Sequence, residues 1–171
     1  MPLPYSFYTR HVSIVARELL GKKLVFGPVH GMITETEAYG GQDDEASHAF
    51  CGRTPRSSIM FGPPGFTYIY LIYGMYFCLN IVSHLEGKTG AVLLRGLLLP
   101  GAHLNGPGKL CKHLGLTREH HGINTTQKDA PLYIAQGVEV KDCLMTPRIG
   151  IKKAIDKPWR FLLPPHHFIF S

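Results

Sequence analysis

The stretch "TYIYLIYGMYFCLN", Thr67 to Asn80, decides how this chain is read. It carries no charge, is crowded with aromatics and turns on one glycine. Widened to Phe66–Ser83 it approaches the ~20 apolar residues that a membrane-spanning helix needs. Its composition argues otherwise. Aromatic and β-branched residues dominate, Gly74 sits near the middle, and the pattern has period two. Phe66, Tyr68, Tyr70 and Ile72 fall on one face; Thr67, Ile69, Leu71 and Tyr73 fall on the other. Two strands meeting at Gly74 are expected. Hairpin tips are usually polar, yet this one reads Ile72-Tyr73-Gly74-Met75-Tyr76. An apolar tip in water marks an interaction site. An aromatic on a rigid hairpin can wedge a base step apart; the plainer alternative is that the tyrosines pack in the core.

Outward from the hairpin, "TRHVSIVARELLGKK" places Val12, Val15, Ala16, Leu19 and Leu20 on one helical face, with Gly21 as a C-terminal cap. In "KLVFGPVHGMITETEAY", Gly27-Pro28 marks a turn between two strands. Along the second strand, Met32, Thr34, Thr36 and Ala38 share one face and Ile33, Glu35, Glu37 and Tyr39 the other. The segment from Gly40 to Gly65 is a long loop, a length that in a small domain points to function. "AVLLRGLLL" is expected as a buried strand. A short helix follows Pro107, capped by Asn105 or Gly106 and ending near Gly115. Further strands are expected at "APLYIAQG", "PRIGI" and "WRFLL". Strands and short helices mix without a βαβ rhythm, which predicts an α+β fold: one domain over residues 1–171 with a mostly antiparallel mixed sheet, a protruding β-hairpin and short helices.

The chain of 171 residues is 44% hydrophobic and 18% charged, the composition of a globular domain with a real core. Its net charge of +6 is compatible with an anionic partner such as nucleic acid, or simply with solubility. Cys51, Cys78, Cys111 and Cys143 lie far apart, without metal-ligand spacing, and are expected as free thiols. The N-terminus lacks the apolar core of a signal peptide. No metal cluster, nucleotide loop or dinucleotide fingerprint is visible. Glu35 and Glu37 are both placed to serve as acid–base groups, and either could instead be a surface acid in a salt bridge. Arg95 interrupts an apolar run, so it needs a buried partner.

Together, "ITETEAYGGQDDEASH", "TPRSSIMFGPPGFTYIYLIYGMYFCLNIVS", "AVLLRG" and "GPGKLC" closely resemble the alkyladenine (3-methyladenine) DNA glycosylases of the mammalian type. The likeness runs from about Leu19 to the C-terminus and is strongest over Ile33–Arg95. It implies a monofunctional enzyme that flips alkylated or deaminated purines (3-methyladenine, 7-methylguanine, hypoxanthine, ethenoadenine) from duplex DNA. The enzyme then hydrolyses the N-glycosidic bond and leaves an abasic site. The resemblance assigns the general base to Glu37, with Arg95 beside it. It makes Tyr39 and His48 one wall of the base site and Tyr70 the other. Asn80 crowds the purine C2 edge, and Tyr73 plugs the duplex. Ile149 is expected to offer its backbone carbonyl to the catalytic water. The resemblance implies no cofactor, since water is the nucleophile. Arg53, Arg56, Lys109 and Lys112 are candidate phosphate contacts. The partner is duplex DNA with damaged purines, no membrane is involved, and a monomer is expected. Such a protein would work in the cytoplasm or nucleoid of a bacterium or the nucleus of a eukaryote. Two departures stand out: the segment after Arg95 is abbreviated, and the chain ends in "PPHHFIFS". Other readings are a catalytically silent binder of damaged DNA and a hydrolase of free nucleosides or RNA.

Overall fold

In the computed structural model, which describes residues 1–168, the aromatic stretch is a β-hairpin. Strands β3 (Thr67–Ile72) and β4 (Tyr76–Val82) pair from Thr67↔Ile81 to Ile72↔Tyr76. A two-residue turn joins them, closed by the Met75 N–H donating to the Ile72 carbonyl at 3.1 Å. Both turn residues have positive φ, +53° at Tyr73 and +64° at Gly74. That is the twist a tight hairpin demands, and glycine supplies it without cost. Among the described residues no helix is long and apolar enough to cross a membrane.

The remaining elements follow in chain order. Helices α1 (Tyr5–Tyr8) and α2 (Val12–Glu18) precede β1 (Lys23–Phe26) and β2 (Val29–Tyr39). After the hairpin come β5 (Ala91–Leu99), β6 (Ala102–Asn105), α3 (Pro107–Leu114), β7 (Leu132–Ala135), β8 (Leu144–Thr146) and β9 (Arg160–Leu162). Among the described residues every strand pairing is antiparallel, in the order β3-β4-β5-β2-β1-β7. Strand β6 pairs with β5, β9 with β2, and β8 with β9. The expected α+β architecture is present. Gly106 is the cap of α3, and Gly115 ends it in the left-handed region.

One face of the sheet carries the core. Ile69, Leu79, Ile81, Val92, Leu94 and Ala38 pack there with Val15, Ala16, Leu19 and Leu20 and with Leu110 and Cys111 of α3. The seven-residue helix α2 is too short to persist alone. It is held by this burial and by the Thr36 hydroxyl, which donates to the Ala16 carbonyl at 2.7 Å. The opposite face is covered by the 40–66 loop, where Ala49 and Met60 pack on Tyr68, Val82 and Ala91.

Two expectations are corrected, and β6 and β8 are strands that the sequence did not announce. Strict alternation along β2 fails, because its pairing with β5 slips between Ile33 and Thr36. This bulge leaves Ile33 in the same core cluster as Ala38, not with Glu35, Glu37 and Tyr39. The segment "PRIGI" is not a strand. Arg148 is drawn inward by a buried ion pair, and Gly150 adopts φ +75°, so the chain turns where extension was expected. The abbreviated segment after Arg95 forms a tight hairpin, β5–β6, and β8 lies where no strand was foreseen. The four cysteines are free. Of the C-terminal segment, residues 169–171 lie outside the described part.

Candidate active site

Cross-strand register builds the floor of a cavity of about 550 Å³. Tyr68 faces Asn80, Asn80 faces Leu93, Leu93 faces Glu37 and Glu37 faces Arg160, one row across β3, β4, β5, β2 and β9. The neighbouring rows add Tyr70 opposite Cys78 and Tyr39 opposite Ala91. The cavity is of the size that holds a drug-sized ligand, with a largely apolar lining and few polar groups. The structure brings together the seven residues to which the resemblance assigns catalysis, base binding and duplex plugging: Glu37, Tyr39, His48, Tyr70, Tyr73, Asn80 and Arg95 line this one space.

Glu37 is fully buried. The Tyr39 hydroxyl donates to its Oε1 at 2.9 Å and the Ile149 N–H to its Oε2 at 2.6 Å. The expected contribution of Ile149 was its carbonyl; the contact to Glu37 is its amide N–H. Burial pushes the Glu37 pKa above the ordinary glutamate value, although Arg95, the Ile149 N–H and the Tyr39 hydroxyl all favour the anion. The same burial, reinforced by the Glu37 charge, raises Tyr39, so it remains a neutral donor.

Glu35, the rival acid, does not line the cavity. Its Oε2 accepts from Arg95 Nε at 2.8 Å and from Arg160 Nε at 2.9 Å. Burial works to raise its pKa, but the two guanidiniums outweigh it and hold the carboxyl below its usual range. Arg95 thus finds the buried partner the sequence demanded. Its Nη1 also lies 3.8 Å from Glu37 Oε1, which makes Arg95 a bridge between the two acids.

The long loop supplies the rim. His48 Nδ1 lies 3.0 Å from the Tyr68 hydroxyl. Desolvation, then the charge of Arg56, lowers the His48 pKa, so the imidazole is neutral at pH 7 even though the residue keeps an open edge. His48 and Tyr70 meet edge to face, with ring centroids 4.7 Å apart at 74°. A base sandwiched between two parallel rings needs about 7 Å, twice a van der Waals contact, so these two rings must part to admit one. Asn80 is buried, and its Nδ2 donates to the Tyr68 carbonyl at 3.1 Å, which fixes its orientation. Tyr73 is 82% exposed at the hairpin tip, with Met75 at 69% beside it.

Of the candidate phosphate contacts, Arg56 and Lys109 line the cavity, whereas Arg53 and Lys112 do not. All four are exposed. Arg56 stacks its guanidinium 5.1 Å from the Tyr70 ring centroid. The start of α3 packs on the hairpin: a Cβ at Gly108 would lie 3.0–3.1 Å from the Tyr76 side chain, so a larger residue there would push Tyr76 aside by a few tenths of an ångström.

Residues that sequence reasoning missed are Asp44, Arg148 and Arg160. Their partners lie about a hundred residues away along the chain, and no local pattern announces them. On the surface, Asp142, His166 and His167 place potential metal-ligand atoms within 4.8 Å of one another. None of the three lines the cavity.

A buried carboxylate thus lies on the floor of an aromatic slot, beside an exposed tyrosine hairpin. The model of the methylpurine-DNA glycosylase family matches residues 6–167. A protein of Ehrlichia chaffeensis is 49% identical over 99% of this chain and 97% of its own length. Proteins of the Wolbachia of Brugia malayi and of Sodalis glossinidius are 52% and 51% identical, each over 93% of this chain and 95% of its own. All three carry the name "Putative 3-methyladenine DNA glycosylase". This chain belongs to the methylpurine-DNA glycosylase family, and is a hydrolase of N-glycosyl bonds whose substrate is DNA.

Proposed function

We propose that this enzyme removes alkylated or deaminated purines from duplex DNA and initiates base excision repair. The target nucleotide flips out of the stack, and its base enters the cavity between Tyr39, His48 and Tyr70. The observation that carries this reading is Glu37: a buried carboxylate with both oxygens held, on the floor of an aromatic slot. A water molecule attacks C1′ of the deoxyribose, and Glu37 accepts its proton. The C1′–N bond breaks, and its electron pair leaves with the base. An abasic site and a free purine result. The same carboxylate lowers the energy of the cation-like sugar, and its raised pKa makes it a stronger proton acceptor.

A cationic base such as 3-methyladenine or 7-methylguanine departs neutral and needs no proton from the enzyme. The neutral His48 suits such a guest, since an imidazolium would repel it. Hypoxanthine and ethenoadenine, being neutral, need protonation as they leave. Base–aromatic stacking of ~1–3 kcal/mol per base tolerates all of these rings. Asn80, tethered to Tyr68, rejects guanine by crowding its exocyclic amino group. Tyr73 fills the gap that flipping leaves, offsetting an unstacking cost of a few kcal/mol. Arg53, Arg56, Lys109 and Lys112 contact phosphates, and the enzyme acts as a monomer without a cofactor.

Single-turnover excision on duplexes containing hypoxanthine, ethenoadenine or 7-methylguanine, with Glu37→Gln beside the native protein, tests the reading. Products are treated with hot alkali. Native protein should give strand breaks only after alkali, and the variant should be nearly silent yet still bind. Equal rates in the two would remove Glu37 from the chemistry. Tight lesion binding without excision of any substrate would establish instead the silent binder.

A further inference from the structure

Arg148 lies in the turn after β8 with its side chain wholly buried. Its Nη1 donates to Asp44 Oδ2 at 2.6 Å and to the Ala38 carbonyl at 2.9 Å, and its Nη2 donates to Asp44 Oδ1 at 2.8 Å. Asp44 in turn accepts from the Gly40 N–H at 2.9 Å and the Ala46 N–H at 3.2 Å. One ion pair therefore ties the end of β2, the start of the rim loop and the 147–154 turn. The guanidinium sits 4.8 Å from the Tyr39 ring centroid and 5.5 Å from that of Trp159. Tyr39 lines the cavity and Arg148 does not, so the guanidinium backs the ring on the side away from the base. The next residue, Ile149, donates its N–H to Glu37.

We propose that Arg148, locked by Asp44, is a positioning residue of the reaction: it seats the Ile149 amide on Glu37 and the Tyr39 ring against the base. This rests on the function proposed above. Stability alone is a poor account of the pair. Buried ion pairs often contribute no more than well-packed apolar residues, and Arg148 Nε is buried with no partner among the described residues. The bidentate fork, by contrast, fixes distance and orientation together. Because Asp44 neutralises the guanidinium, the Tyr39 face also stays free of net charge toward a cationic guest.

The test is the pH profile of single-turnover excision by native protein, Arg148→Lys and Asp44→Asn, with thermal melting and binding to an uncleavable lesion duplex alongside. Glu37 also faces Tyr39 and Glu35 on β2, Arg95 on β5 and Cys78 on β4, and none of these is altered. Lysine keeps the charge but not the fork. Excision should fall about 10–100-fold, the scale of a small misplacement at a reacting centre. The acidic limb should rise by about half a pH unit as the anion loses its backbone donor. Duplex affinity should hold within about twofold, since phosphate contacts set it. Asp44→Asn should move the same limb in the same direction, and it carries the test should the lysine variant fail to fold. A folded variant with an unmoved limb, or a rate that falls only with the folded fraction, overturns the inference. If the native protein excises nothing, the functional reading itself fails.

Discussion

Tyr73 occupies a backbone position that suits a different residue. At φ +53° an L side chain other than Asn or Gly costs about 1–2 kcal/mol. Asn-Gly is the preferred pair for a two-residue hairpin turn, and here Tyr73-Gly74 stands in its place. With Tyr73 82% exposed, its removal surrenders little buried surface. Tyr73→Asn should therefore stabilise the fold by about 1 kcal/mol, raising Tm by roughly 2–4 °C for a chain of this size. This sign is informative, because most substitutions destabilise. The same change should slow excision from duplex DNA about 10–100-fold, equivalent to about 1.4–2.7 kcal/mol of lost support for the flipped state. Excision from a single-stranded oligonucleotide, which has no gap to fill, should be nearly unchanged. Thermal melting and single-turnover excision on the two substrates read all three quantities. A lower Tm would refute the strain, and an unchanged duplex rate would refute the plug. Strain retained at an exposed tip is the kind of feature that function keeps against stability.

Other outcomes follow from the paired acids. Glu35→Gln removes the anion shared by Arg95 and Arg160 and should cost about 2–4 kcal/mol in urea unfolding; a loss below about 1 kcal/mol would show that the arginines find other partners. Because burial raises the Glu37 pKa, the acidic limb of excision should lie above the ordinary glutamate value of about 4.3; a limb at or below it would contradict the burial argument. The linkage has a definite sign. Folded protein binds the Glu37 proton more tightly than unfolded protein does, so this group's contribution to stability falls as pH rises from the ordinary glutamate range through the raised folded value. Glu37→Gln should thus gain on the native protein in denaturant unfolding between pH 4 and pH 7, and a constant difference would show that Glu37 is not penalised by burial.

Much of the fold was legible because its signals are local. Alternation marks the β3–β4 hairpin, Gly27-Pro28 marks the β1–β2 turn, and Pro107 with Gly115 brackets α3. The irregularity in β2 was not legible: two register shifts against β5, between Ile33 and Glu35 and between Glu35 and Thr36, carry no composition of their own, and only the folded pairing and packing show that Ile33 changes faces. "PRIGI" looks like a strand until Asp44, 104 residues earlier, captures Arg148.

The site divides the same way. The resemblance of its motifs to a known family picked out seven residues that share one cavity, and the strand pattern placed Glu35 and Glu37 on one face. That pattern left both acids open as bases on composition, because side chains two apart on a strand have equal local claims. Tertiary structure set them apart. Two arginines from β5 and β9 close on Glu35, while Glu37 lies under the aromatic slot with an amide from 112 residues away on its oxygen. Alternation over an uninterrupted run such as Glu35 to Tyr39 is local, so sequence reads it there, whereas the break at Ile33 needs the partner strand. Desolvation and charge pairing depend on which distant segments meet, so only the folded chain decides them.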